Sequence, residues 1–317
     1  MSIKISAGNG IGIKIDGQTI LLDPKVSDFI SFISHAHHDH TPYEVITKPY
    51  CTRETLELIK VRNPKFEANV LEKNKEIEFD GFSVKLLSSG HMLGSTQTLI
   101  ETKECSILYT GDFKTSESFT CEKIEVEEAD ILIVESTFGL PGFKLPKTEQ
   151  VREKLIEWVE TQLKKGYSVN LGGYPIGKSQ EIIGILNNYG IIPKVSASVR
   201  KYSEAYKKLG VKLKFEASSE VSVRPINVVP LIKSKKARNC VLSGWTLVRD
   251  FGTFGLPLSD HSDFNQILSF VREVKPKKVY CVHGYTKELA KAITKRLKIP
   301  AYPLAKSQQK SLLEFKI

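Results

Sequence analysis

The segment His35-Ala36-His37-His38-Asp39-His40 gathers four of the chain's seven histidines within six residues, directly after the apolar run Phe29-Ile-Ser-Phe-Ile-Ser. That run predicts a buried strand. The histidines then form a strand-end loop, whose side chains can converge on one point beyond a sheet edge. Imidazole and carboxylate are ligands for a borderline divalent ion such as zinc, and His-x-His-x-Asp-His supplies four of them. The remaining histidines stand singly in turn-like settings: Ser88-Ser-Gly-His91, Leu258-Ser-Asp-His261-Ser-Asp and Val282-His283-Gly. Asp112 closes Tyr109-Thr-Gly-Asp at a strand end. These residues complete a two-ion count, with His35, His37 and His91 on one ion, Asp39, His40 and His283 on the other, and Asp112 bridging. His38 is left without a role. Asp23, after the strand Thr19-Ile-Leu-Leu, reads as a carboxylate that orients a ligand histidine without binding metal itself.

Outward from the loop, the first third of the chain reads as strands, with hairpin turns at Asp16-Gly17 and Asp80-Gly81. Asp130-Ile-Leu-Ile-Val-Glu135 predicts a buried strand. From Thr148 the period changes to that of a helix, through Val151, Leu155, Trp158, Val159 and Leu163, and Lys164-Lys165-Gly166 supplies the stop. Short strands then alternate with helices at 180–189 and 199–209. Helices at 264–274 and 287–297 flank a closing strand, Lys278-Val-Tyr-Cys-Val. The order predicts an α/β sandwich interrupted by an α/β insert.

The 317 residues are enough to bury about 75% of the unfolded surface without disulfides or structural metal. Lys and Arg number 46 against 36 Asp and Glu, a net charge of +10. Between Val151 and Cys240 there are 17 basic and 7 acidic residues, so this stretch holds the whole excess and the rest is neutral. Such segregation is the electrostatic footprint of a polyanion site. Five scattered cysteines without a Cys-x-x-Cys pair argue against a disulfide framework or a thiolate zinc site. No apolar run reaches the roughly 18 residues of a membrane span, and the first ten residues lack the apolar core of a secretory signal. A cytoplasmic location is the expectation.

The ordered set Asp23, His35-x-His37-x-Asp39-His40, His91 and Asp112 resembles the metallo-β-lactamase fold. Glu135 in Val-Glu-Ser-Thr-Phe-Gly, His261 in Ser-Asp-His-Ser-Asp and His283 in Val-His-Gly resemble three further motifs of the beta-CASP nucleases, a group that includes RNA processors and DNA cross-link repair enzymes. Glu135-Ser-Thr-Phe-Gly-Leu-Pro, Gly173-Tyr-Pro-Ile-Gly-Lys-Ser-Gln180, Ser243-Gly-Trp and His283-Gly-Tyr are similar to the DNA ligase-associated exonucleases and their archaeal relatives. The resemblance covers about Ile11 to Leu297. It implies a metallo-β-lactamase αβ/βα four-layer sandwich over 1–145 and 243–317, with a beta-CASP cap inserted at 146–242 above the metal site. It also implies two Zn2+ ions, with Mn2+ as a substitute, and hydrolysis of single-stranded DNA or RNA. Asp39 then serves both metal and catalysis, His261 is the proton donor to the leaving oxygen, and Glu135 orients His261. A DNA ligase or RNA-processing factors are the implied functional partners. Lys178, Ser179, Lys201, Ser243 and Ser262 are the expected nucleic-acid contacts.

Gly172-Gly-Tyr-Pro-Ile-Gly177-Lys178-Ser179 also satisfies the phosphate-loop pattern Gly-x4-Gly-Lys-Ser between a strand and a helix. A nucleotide triphosphatase would require a later apolar strand ending in Asp, and neither Asn239-Cys-Val-Leu-Ser nor Lys278-Val-Tyr-Cys-Val has one. It would also leave the histidines unexplained. Two further alternatives stay open. A small-molecule hydrolase on the same metal core does not require a lobe of +10, and a silent nucleic-acid-binding subunit does not require the full ligand set.

Overall fold

The computed structural model describes residues 3–304. Two sheets lie face to face. The first runs in the order Ile3–Gly8, Gly10–Ile15, Gln18–Leu22, Ile30–Phe32, Tyr50–Cys51 and Asn69–Val70. It begins as an antiparallel meander and turns parallel from the third strand onward, so each later strand ends on the same side. The second sheet has seven strands, from Glu76–Phe79 at one edge to Ala301–Pro303 at the other, with Ser106–Tyr109, Ile131–Ser136 and Lys278–Gly284 parallel in its middle. Alternating Ile11, Ile13 and Ile15 meet Val84, Leu86 and Ile107 between the sheets, the period-2 signature of a sheet face.

The outer face of the second sheet, with Leu108, Leu132, Val134 and Val279, packs against the helices Phe264–Val274 and Thr286–Leu297. The short helix Arg53–Lys60 packs outside the first sheet, completing four layers. This is the expected metallo-β-lactamase αβ/βα sandwich.

A third sheet, all parallel, takes Lys194–Val195, Val221–Pro225, Ser168–Gly173, Ala237–Leu242 and Phe254–Leu256 in that order. Its last strand lies beyond residue 242, where the expected insert ends. Val151, Leu155, Ile156 and Val159 bury one stripe of the helix Thr148–Lys164 against this sheet. The core continues through Met92 and Leu93 to Leu56 and Ile59, so the insert and the sandwich share packed side chains. Buried charges add to that seam: Arg152 pairs with Glu181 at 2.8 Å and donates to the Glu117 carbonyl at 2.7 Å.

Candidate metal centre

The His35–His40 loop leaves the strand Ile30–Phe32 and closes in a 3-10 turn over His38–His40. Arg62 pins it, with one guanidinium nitrogen on the Ala36 carbonyl at 2.6 Å and the other on Thr41 Oγ1 at 2.7 Å. Thr41 Oγ1 in turn donates to the His37 carbonyl at 2.7 Å. Gly111, with φ +55, brings the Asp112 turn close; a Cβ there would lie 2.6 Å from Ser34 Cβ, so only glycine permits the approach. His283 sits at φ +53 at the end of Lys278–Gly284, beside a register shift at Glu135/Ser136, and its ring lies 5.3 Å from that of His40. A non-glycine residue held in the left-handed region is strained and recurs at functional sites.

The ring nitrogens converge. His35 Nε2 and His91 Nε2 lie 2.9 and 3.2 Å from His37 Nδ1. Asp112 Oδ2 stands 3.5, 3.4 and 3.9 Å from the Nε2 atoms of His35, His40 and His91. His40 Nε2 also lies 3.8 Å from Asp39 Oδ2. Asp39 is largely exposed, His37 partly so, and His35, His40 and His91 are buried.

What each outward ring nitrogen touches fixes the tautomers. His91 Nδ1 donates to the Asp260 carbonyl at 2.8 Å, His40 Nδ1 to Asp23 Oδ2 at 2.7 Å, and His37 Nε2 to the Ile176 carbonyl at 3.4 Å. Ser34 Oγ gives its proton to Asp23 at 2.6 Å, so at 2.9 Å it accepts from His35 Nδ1. The inward nitrogens of the neutral His35, His37 and His91 rings are therefore lone pairs, and three lone pairs aimed at one another beside a carboxylate oxygen suit a cation.

Electrostatics agree with that reading. Burial drives His35 and His91 well below the usual imidazole range, and neighbouring histidines push the same way, so both rings stay neutral. Burial also opposes charge on His40, but Asp112 and Asp23 outweigh it and raise this group to about 10. The carboxylates demand positive charge at that point, which a bound cation meets as well as a proton does. Asp23 accepts from Ser34 N, Ser34 Oγ, His40 Nδ1 and Tyr109 Oη, with distances of 2.6–2.8 Å. Asp23→Ala is expected to cost about 10–100-fold in metal affinity, the usual effect of removing such a support; a chelator competition titration reads it, and an unchanged midpoint removes the role.

Beside this cluster His261 Nδ1 faces Glu135 Oε1 and Oε2 at 2.9 and 3.1 Å, and its ring lies 4.8 Å from that of His91. Burial disfavours the imidazolium, yet Glu135 and then Asp112 raise it to about 9. Glu135 is fully buried, and its burial is offset by His261 and by bonds from Thr137 and Phe113. Asp263 caps the helix Phe264–Val274 reciprocally with Gln266, which fixes the backbone two residues past His261.

His37, Asp39, His40, His91, Asp112 and His261 line a cleft of about 470 Å³ between sandwich and insert, walled on the insert side by Tyr174, Ile176 and Trp245. Of the expected nucleic-acid contacts only Ser243 and Lys178 border it. Lys178 needs correction. Its Nζ is buried between Asp260 Oδ1 and the Leu258 carbonyl, both at 2.7 Å, so it braces the segment that carries His261 and cannot meet a phosphate. Ser179 is likewise buried, donating to the Tyr174 carbonyl at 2.8 Å, and Ser262 Oγ is buried and accepts from Thr115 N at 3.1 Å. Ser243 caps Trp245 N, and Lys201 is exposed on the helix Ala197–Lys208, outside the cleft walls. The loop that imitates a phosphate binder thus supplies the Ile176 carbonyl to His37.

Sequence reasoning passed over Ser34, Tyr109, Arg62, Ile176 and Asp260. Asp260 stood inside a quoted motif; carbonyl acceptors leave no trace in side-chain identity.

Residues 255–303 match the family model described as "Zn-dependent metallo-hydrolase RNA specificity domain". The chain is 31% identical over 288 residues to a "Probable DNA ligase" of Opitutus terrae, an alignment covering 84% of this chain and 28% of that protein. It is 25% identical to an "RNase J-like protein" of Methanocaldococcus jannaschii, covering 90% of this chain and 89% of the other. The fold is shared with a crystal structure of a protein of unknown function from Enterococcus faecalis, at a TM-score of 0.66 and 14% identity, covering 90% of this chain and 95% of that one. The family model and these relatives support the metallo-β-lactamase and beta-CASP resemblance, with which the sandwich, the inserted parallel sheet and the His/Asp cluster between them agree.

Proposed function

We propose that this chain hydrolyses phosphodiester bonds in single-stranded nucleic acid, as a zinc-dependent DNA exonuclease. The observation that carries the reading is the set of three imidazole nitrogens, from His35, His37 and His91, that meets Asp112 beneath a cleft roofed by the basic insert. His35, His37 and His91 would hold one Zn2+, and Asp39, His40 and His283 a second, with Asp112 shared between them. Mn2+ accepts the same nitrogen and oxygen donors. Zinc held there would supply a coordinated water of lowered pKa and positive charge for the phosphate oxygens.

The chain's own groups do the rest. Glu135 fixes the His261 ring through Nδ1 and keeps it protonated, which frees Nε2 to give its proton to the leaving 3′-oxygen. Phe138 and Trp245, with ring centroids 5.0 Å apart, form the apolar wall beside His261 and limit water at the leaving group. The long match inside a protein named as a DNA ligase favours DNA and a ligase as functional partner. The family model's name and the RNase J-like relative favour RNA as the second reading.

End-labelled, sequence-matched single-stranded DNA and RNA, digested with and without chelator, separate the two. Chelator-sensitive release of mononucleotides from DNA is the expected result. Digestion of RNA alone transfers the role to RNA processing, and hydrolysis of neither polymer ends the reading.

A further inference from the structure

The insert's parallel sheet has two ends, and the cleft uses only one. Strand Ala237–Leu242 leads into Ser243 at the cleft. Five steps back along it, about 17 Å away at 3.3 Å per residue, its start borders a second concavity of about 660 Å³ lined by Trp158, Lys233, Lys235, Arg238 and Phe254 among others. No lining residue is acidic. Lys233, Lys235, Lys236 and Arg238 place four cations within six residues, and none is ion-paired among the described residues. The three lysines are exposed, and like charges so close repel one another unless an outside anion joins them.

Aromatic rings are interleaved with these charges. Trp158 and Phe254 stack with centroids 5.1 Å apart and planes at 14°, while Phe254 remains 45% exposed, so its ring keeps open surface for a third partner. The Arg238 guanidinium lies 3.5 Å over the Tyr167 ring, which holds it in place. Between the concavity and the cleft, the loop from Trp245 to Phe254 carries Arg249, 5.0 Å over Phe251. Unpaired cations alternating with rings are the composition of a single-strand track, where phosphates meet the cations and bases stack without sequence preference.

We propose that this far end of the insert is a second, non-catalytic site for the same single strand, engaging nucleotides that extend beyond the cleft along the sheet's edge strand Phe254–Leu256. It rests on the nucleic-acid reading of the cleft. Its consequence is length-dependent affinity: a strand several nucleotides longer than the cleft accommodates touches both places.

The test is fluorescence anisotropy of 20-nucleotide and 5-nucleotide strands of DNA and of RNA, with chelator present to stop turnover. Lys233→Gln/Lys235→Gln is compared with the unaltered protein across salt concentrations, and Phe254→Leu, which keeps packing on Trp158 but removes the ring, at one concentration. Loss of two phosphate contacts is expected to lower the 20-mer's log–log salt slope by about 1.4. Loss of the ring is expected to weaken the 20-mer by about fivefold or more. The 5-mer and the hydrolysis of bis(p-nitrophenyl) phosphate should not change. An unaltered 20-mer slope and affinity overturn the proposal, as does equal loss for 5-mer and 20-mer. If the unaltered protein cleaves no phosphodiester while the 20-mer keeps its charge-sensitive binding, the catalytic reading fails and the second site stands.

Discussion

Asp112→Ala is expected to leave the protein without bound zinc at micromolar free metal and to cut phosphodiester hydrolysis on the order of a thousandfold or more. One oxygen of this carboxylate stands within 3.9 Å of three Nε2 atoms from three different histidines, so its removal takes an anionic donor from both proposed ion positions at once. The largely exposed Asp39 stands 3.8 Å from His40, and its loss should empty one position more readily than the other. Metal analysis after equilibrium dialysis separates the two variants: close to zero ions for Asp112→Ala, an intermediate value for Asp39→Ala, with activity falling in both. Circular dichroism checks that the Asp112→Ala chain stays folded. An Asp112→Ala protein that keeps two ions and normal turnover would eliminate the bridging role.

The sequence makes the proposed ligand shell legible because coordination chemistry restricts residue type: only a few side chains bind such an ion, and His35, His37, Asp39, His40, His91, Asp112 and His283 are all of those types. The sandwich was legible for a related reason. Period-2 runs such as Ile11 to Ile15, and the switch to helical period at Val151, report burial directly. The helix Arg53–Lys60 went unread even though Thr52 caps it by accepting from Thr55 N, because eight residues are too few for a convincing stripe. Least legible were the supports. Lys178 in a phosphate-loop pattern and Lys178 buried on Asp260 are the same letters, and only the packing of the insert against Leu258–His261 decides between solvent and ion pair. Ile176 and Asp260 act on His37 and His91 through carbonyls, which every residue possesses.

His261→Ala is expected to keep its full metal content and lose about a hundred- to ten-thousandfold in turnover, the usual contribution of a positioned proton donor. The imidazole stands beside the His35, His37, His91 and Asp112 group, with its Nδ1 committed to Glu135 at 2.9 Å, so its removal is expected to leave that group intact. It does leave Glu135 buried with its backbone donors from Phe113 and Thr137 but without its cationic partner, and stability should fall modestly. Glu135→Gln distinguishes orientation from charge. The amide can still accept a hydrogen bond from His261 Nδ1, so the ring keeps its place, but the imidazolium loses the carboxylate that sustains it. A proton donor weakened in this way loses turnover on poor leaving groups and little on a substrate whose leaving group departs without a proton. The comparison is therefore between oligonucleotide hydrolysis and hydrolysis of bis(p-nitrophenyl) phosphate, whose p-nitrophenolate needs no proton. Both variants should lose far more on the oligonucleotide than on the activated diester, while metal analysis reads the same as for the unaltered protein. Equal losses on the two substrates would mean that His261 positions the strand or the ions, and depleted metal would make it a ligand.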